Sequence, residues 1–154
     1  MPKPAVGIIL GSATDLKVVQ KAADVLKDFG VHADITVSSA HRTQKKVLSY
    51  AKNAHKKYDL LIAAAGMAAH LPGVVASHTL LPVIGLPVST PGLSGFDALY
   101  AIVQMPPGVP VASVAIDGAK NAALLALEIL AIKYPKIGKK LKTFRSNMNK
   151  TGKA

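Results

Sequence analysis

The chain has no cysteine and no tryptophan, and Glu128 is its single glutamate. Without cysteine there are no disulfides and no thiolate metal sites, which fits a reducing compartment. The histidines His32, His55 and His78 lack acidic or histidine partners at ligand spacing, so no metal site is expected. Aromatic residues make up 5% of the sequence. The core therefore has to come from Ala, Val, Leu and Ile, which suits close packing of helices on a sheet. No apolar run reaches the length that spans a membrane, and Met1-Pro2-Lys3-Pro4 lacks the apolar stretch of a signal peptide. A cytoplasmic protein with no membrane partner is the expectation. No Walker loop, G-x-G-x-x-G fingerprint or G-x-S-x-G elbow occurs, which leaves ATP, dinucleotide and serine-hydrolase sites without local support.

What is present is a 154-residue chain, half of it hydrophobic, with a formal net charge of +11. That length fits one domain with one well-buried core. Eight of the nineteen basic residues fall between Lys133 and Lys153, and no acid follows Glu128. The excess is partly a property of the tail, whose simplest reading is a solvated helix face. The tail has no recognised nucleic-acid motif and two aromatics, Tyr134 and Phe144, so nucleic acid is not expected as a partner. Positive charge would still draw in an anionic substrate.

Ala5 to Leu10 is a short unbroken apolar run, as a buried parallel strand requires. Leu16, Val19, Ala23 and Leu26 follow at helical spacing. Thr14 or Asp15 can cap that helix and Gly30 closes it. Further strands are expected at Val31–Val37, Asp59–Ala64, Pro82–Val88 and Val111–Ile116. Helices are expected from a Thr43 cap to about Tyr58, over Ala68–Thr79 with a start near Leu71, over Phe96–Met105 and over Asn121–Ile132. Pro135 breaks the last of these, and Lys139–Asn149 reads as a final basic helix. Alternating strands and helices imply a three-layer α/β/α subunit, a flavodoxin-like parallel sheet of about five strands in the order 2-1-3-4-5.

In such a sheet the carboxyl ends of the strands form the binding edge. Three segments fall there: Gly11-Ser12-Ala13-Thr14-Asp15, Ser39-Ala40-His41-Arg42-Thr43, and Ala65-Gly66-Met67-Ala68-Ala69-His70-Leu71-Pro72-Gly73. Glycine allows the tight turn after a strand, and the following helix start favours an anion. Asp15 would repel phosphate but can accept hydrogen bonds from ribose hydroxyls, or it is a plain helix cap. Arg42 offers a planar fork for phosphate. The imidazole of His41 can give or take a proton, or it is an ordinary helix-entry histidine. His70, in an apolar setting, is a packing histidine or a second proton carrier. The helices at 96–105 and 121–132 are apolar on most sides, which points to packing between subunits.

These segments, with Val103-Gln104-Met105-Pro106 and Asn121-Ala122-Ala123-Leu124-Leu125-Ala126, occur in an order and spacing that resembles class I 5-(carboxyamino)imidazole ribonucleotide mutase of purine biosynthesis. The resemblance runs from about Val6 to Ile132. It implies a single mutase domain over residues 1–154, with a core at 5–132 and a basic helix and tail at 133–154. It also implies a homo-octamer, a small-molecule nucleotide substrate, no cofactor, and transfer of a carboxylate from an exocyclic nitrogen to ring carbon C4. By position, the resemblance makes His41 and His70 catalytic. Ser12, Thr14, Asp15, Ser39, Ala40, Arg42, Gly66, Ala68 and Leu71 would bind substrate. Thr14 stands where the family pattern has serine, Leu16 where it has tryptophan, Met67 where it has glycine and Ser94 where it has aspartate. The related class II carboxylase usually reads Ser-Ala-His-Lys in the second loop, so Arg42 and His70 favour class I. A basic module binding nucleic acid through its tail would leave the three loops without a purpose.

Overall fold

Residues 3–152 are described by the computed structural model. Five strands, β1 (Ala5–Leu10), β2 (His32–Val37), β3 (Leu60–Gly66), β4 (Val83–Val88) and β5 (Ala112–Ser113), form one parallel sheet ordered β2-β1-β3-β4-β5. The alternation of side chains along each strand splits the core in two. Val6, Ile8 and Leu10 of β1, with Leu60, Ile62 and Ala64 of β3, face α1 (Leu16–Asp28), α5 (Ala119–Lys133) and α6 (Pro135–Thr151). Ile9, Leu61, Ala63 and Ala65 face α2 (Gln44–Asn53), α3 (Leu71–Ala76) and α4 (Phe96–Val103). Every residue of β1 and β4 is buried, which explains why these strands read as continuous apolar runs rather than alternating ones. On the α2 side the sheet is lined by small residues. A Cβ on Gly7 would come within 2.7 Å of Leu61 Cδ2 and 2.8 Å of the Tyr58 ring, so glycine lets the helical layer close onto the strand.

The expected strand order holds, and the differences lie at element ends. β5 shrinks from the expected Val111–Ile116 to two residues. The carbonyls of Gly85 and Pro87 accept from Val114 N–H (3.4 Å) and Asp117 N–H (2.9 Å), so both residues turn toward β5. The Pro87 nitrogen then faces the same neighbour without a proton to give, and the ladder stops. Asp15 holds the cap position of the helix after β1, but its side chain makes no capping bond. Ser12 instead caps a 3₁₀ turn, Ala13–Asp15, that leads into α1. Thr43 holds the cap position of α2 but its hydroxyl bonds to Ser38 and Ser39 instead. Gly30 closes α1 as expected, at φ 79°, with Gly30 N–H on Lys27 O and Val31 N–H on Leu26 O, the paired bonds of a Schellman ending.

Pro135 does not merely break a helix. It opens α6 at the first turn, where a missing N–H costs nothing. The basic helix therefore starts four residues before the expected Lys139. Its inner side, Ile137 and Leu141, joins the core, while Lys140 donates to Phe29 O (2.8 Å) and Arg145 pairs with Glu128. α5 leaves Ile132 exposed near its end but consequently finds most of its cover within the subunit, between α1, α6 and the sheet. α4 does not, since Phe96, Tyr100 and Val103 are exposed.

Asp59 ties the start of the sheet to the end of α5. Its carboxylate accepts from Ala5 N–H (3.1 Å), Lys133 Nζ (2.8 Å) and the Tyr134 hydroxyl (3.1 Å). Burial pushes this carboxyl up, but the bonds from Lys133, Ala5 and Tyr134 outweigh it and hold it below its ordinary 3.8. A depressed folded pKa stabilises above the unfolded value, and that stabilisation is lost as pH falls through the folded one. Asp59→Asn should cost about 1–3 kcal/mol at neutral pH. The deficit should shrink as the solution is acidified below the unfolded pKa of about 4. Denaturant titrations at pH 7 and at pH 3 measure it; an equal deficit at both would show that charge is not involved.

Candidate functional site

The carboxyl ends of β1, β2, β3 and β4 surround a cleft of about 460 Å³. After β1, Gly11 N–H bonds Ala64 O (3.2 Å) and the extended Ser12 turns the chain into the 3₁₀ turn. Thr14 Oγ1 lies 2.8 Å from Ser12 Oγ and 3.0 Å from Asp15 Oδ1. After β2, the Thr43 hydroxyl accepts from Ser39 N–H (2.8 Å) and donates to Ser39 O (3.1 Å). Ser39 Oγ in turn accepts from the N–H groups of His41 and Arg42, each at 3.3 Å. This knot of hydroxyls presents the imidazole and guanidinium at the cleft. Arg42 Nη2 reaches Gly11 O (3.3 Å), joining the first two loops.

The third loop carries backbone strain. Met67 has φ 54° and Ala69 φ 39°, a region that side-chain-bearing residues seldom occupy. Ala69 N–H bonds Gly66 O (3.1 Å), closing a tight turn. A positive φ at the second position of such a turn is typical of glycine, asparagine and aspartate, so a methionine there costs about 1–2 kcal/mol of backbone energy. Gly66 has no room for a Cβ, which would come 2.7 Å from Thr90 Cγ2 and 3.1 Å from Val88 O. The turn sets His70 at the start of α3, opposite His41. His41 Nε2 and His70 Nδ1 are 2.7 Å apart, with the rings edge to face at 80°. One of these two nitrogens must donate and the other accept, so the contact holds a single proton.

All eleven residues that the sequence marks for this site line the cleft: Ser12, Thr14, Asp15, Ser39, Ala40, His41, Arg42, Gly66, Ala68, His70 and Leu71. Sequence reading misses Thr90, which follows β4 and falls under the same strand-end rule. Its Oγ1 is buried and has no hydrogen-bond partner. His32, His55 and His78 lie outside the cleft, and His32 is paired with Asp34 (3.1 Å). Among the described residues, no group of three or more His, Asp or Glu comes together as a metal cage. The polar half of the cleft offers a cation, hydroxyls and a carboxylate. The other half is walled by alanines. Such a site can hold an anionic, hydroxyl-bearing molecule with one end against the histidine pair.

A family model described as AIR carboxylase matches residues 5–151. The chain is 57% identical over 148 residues to the N5-carboxyaminoimidazole ribonucleotide mutase of Pyrococcus abyssi, covering 96% of this chain and 85% of that protein. It is 55% identical to the protein of the same name from Thermotoga maritima, covering 96% and 86%. Among solved structures it resembles Treponema denticola PurE at a TM-score of 0.87 and 33% identity, covering 96% and 94% of the two chains.

Asp15 is 7% exposed although it carries a carboxyl group. Burial pushes its pKa up from 3.8; the Thr14 hydroxyl pulls it down and the nearby Asp117 charge pushes it up again. The sign is opposite to that of Asp59. A raised folded pKa stabilises fully below the unfolded value, and that contribution is lost as pH rises through the folded one. The carboxylate is therefore a net burden at neutral pH. Asp15→Asn should raise stability at pH 7 by about 0.5–2 kcal/mol, with no gain at pH 3. Paired denaturation curves check this; a less stable variant at pH 7 would refute it.

Proposed function

The chain belongs to the AIR carboxylase family, and from that premise we propose that it moves the carboxylate of N5-carboxyaminoimidazole ribonucleotide from nitrogen to ring carbon C4, with His41 and His70 carrying the protons. It is then an isomerase of purine biosynthesis. The observation that carries the assignment of residues is the 2.7 Å His41–His70 contact, set beside Arg42 and Asp15 in one cleft. In this reading Arg42 holds the phosphate and Asp15 accepts from the ribose hydroxyls. Ser12, Thr14 and Ser39 complete the polar contacts, and Ala40, Gly66, Ala68 and Leu71 shape the wall around the base.

The proton steps are set by the substrate's chemistry. His41, protonated, gives its proton to the carbamate nitrogen. The N–C bond breaks and releases carbon dioxide and a free amine. The electron-rich ring then attacks carbon dioxide through C4, forming the new C–C bond. His41 takes the C4 proton, which restores aromaticity and returns the histidine to its starting state. His70 accepts or donates at the shared hydrogen bond and fixes which His41 nitrogen carries the proton. The steps balance with no metal, oxidant or organic cofactor.

Assembly enters the same reading. Phe96 is 56% exposed and Tyr100 61% exposed on one side of α4, next to exposed Leu93 and Val103. We read an apolar surface of this kind as one that another subunit covers, and the resemblance supports a homo-octamer. Among the described residues no helix is long and apolar enough to cross a membrane, and the reading places the enzyme in the cytoplasm.

His41→Asn should lower kcat by about 10²–10⁴ while nucleotide binding changes less than about tenfold, the effect of removing a general acid/base. Single-turnover kinetics with calorimetric binding measure both, and near-normal turnover removes His41 from the mechanism. For assembly the informative position is Tyr100 rather than the half-buried Leu99. Tyr100→Glu should reduce the mass seen by light scattering while circular dichroism stays unchanged. An unaltered large assembly would clear α4 of any interface.

A further inference from the structure

Two large apolar residues line the cleft, and they are placed differently. Leu71 is buried as part of a wall, whereas Met67 is 67% exposed. A core methionine would gain packing in return for a strained backbone. Met67 gains little within the subunit, yet its backbone stands at φ 54°. Strain held without a packing return gathers at sites of function. The loop around it is fixed. Gly66 is pressed against Thr90 and Val88, Ala69 is buried, and Ala69 N–H closes the turn on Gly66 O. Met67 is therefore a long, flexible side chain on a rigid turn, three residues from His70. Its neighbours in the wall, Ala65, Ala68 and Ala69, are too short to reach across an opening. An unbranched thioether adapts its shape to a small apolar molecule.

We propose that Met67 is the retention residue of the cleft: its side chain covers the apolar half and keeps the carbon dioxide formed in mid-reaction beside the ring until C4 captures it. The inference rests on the mutase reading, since only a reaction that releases and recaptures carbon dioxide needs such a cover. Met67 holds no proton and binds no phosphate. Its part is to decide whether the released molecule meets C4 or escapes to water, where it hydrates to bicarbonate and leaves aminoimidazole ribonucleotide behind.

The test uses the full chain and substrate labelled with ¹³C in its carboxylate, in buffer containing unlabelled bicarbonate. Wild type should retain the label in the C4 carboxylate. Met67→Gly should lose a share of label, and form a share of decarboxylated nucleotide, at least several-fold above wild type. Its thermal midpoint should hold or rise, because glycine relieves the left-handed strain. Met67→Leu should restore retention. A Met67→Gly protein that keeps its label as wild type does overturns the proposal. So does a leak that comes with a lower midpoint and is not restored by leucine, since that marks collapse of the loop. So too does unchanged retention with a smaller assembly by light scattering, which assigns Met67 to a subunit contact. If wild type forms no C4 product at all, the mutase reading fails instead, and the two failures stay separate.

Discussion

Burial of both faces of β1, β3 and β4 dictates the rest of this subunit's architecture. Backbone N–H and C=O groups in these strands have no water, so they must be paired along parallel ladders. Parallel neighbours need crossover helices, and right-handed crossovers place helices on both faces. With β1 in the interior, the chain leaves to β2 on one side and returns to β3 on the other. The loops after β1, β2 and β3 then converge at the reversal point. The cleft is the gap that this reversal opens, and its residues come from segments as far apart as Gly11 and Thr90.

The sequence carried the sheet order and the composition of the cleft because both depend on patterns several residues long. Apolar runs of strand length and glycines after them are local signals. The ends of elements were harder, since single atoms decide them. The missing proton on Pro87 shortens β5, a strand elsewhere in the sequence. The hydroxyl of Thr43 stays with Ser38 and Ser39 rather than the helix it precedes. Pro135 reads equally as the end of one helix or the start of the next, and here the packing of Ile137 and Leu141 selects the start. The His41–His70 contact is a third kind of case. The sequence places both residues on one edge, but a 2.7 Å approach across 29 residues depends on the left-handed turn at Met67 and Ala69.

The cleft is also where local rules give way. Asp15 is a buried acid whose ionised form burdens the fold, while Asp59, equally an aspartate in an apolar chain, is supplied with three donors and stabilises it. Two residues with side chains sit at positive φ in the histidine loop. Local rules and packing agree elsewhere in the Schellman ending of α1 and in the proline that opens α6. A buried acid and a strained turn gathered on the binding rim of a sheet are the mark of a site selected for chemistry.

Position in space and order of synthesis diverge in this fold. Of the five strands β1 is made before the others, yet it lies between two strands made later, and its partner β3 begins at Leu60. At about 5–20 residues per second of translation, Val6–Leu10 waits seconds with an unpaired flank. Ladders between strands so distant along the chain are slow to close. An apolar strand with an open edge is therefore exposed while the chain is still being made. Slower passage through residues 38–60 lengthens that interval without altering a single contact of the finished subunit.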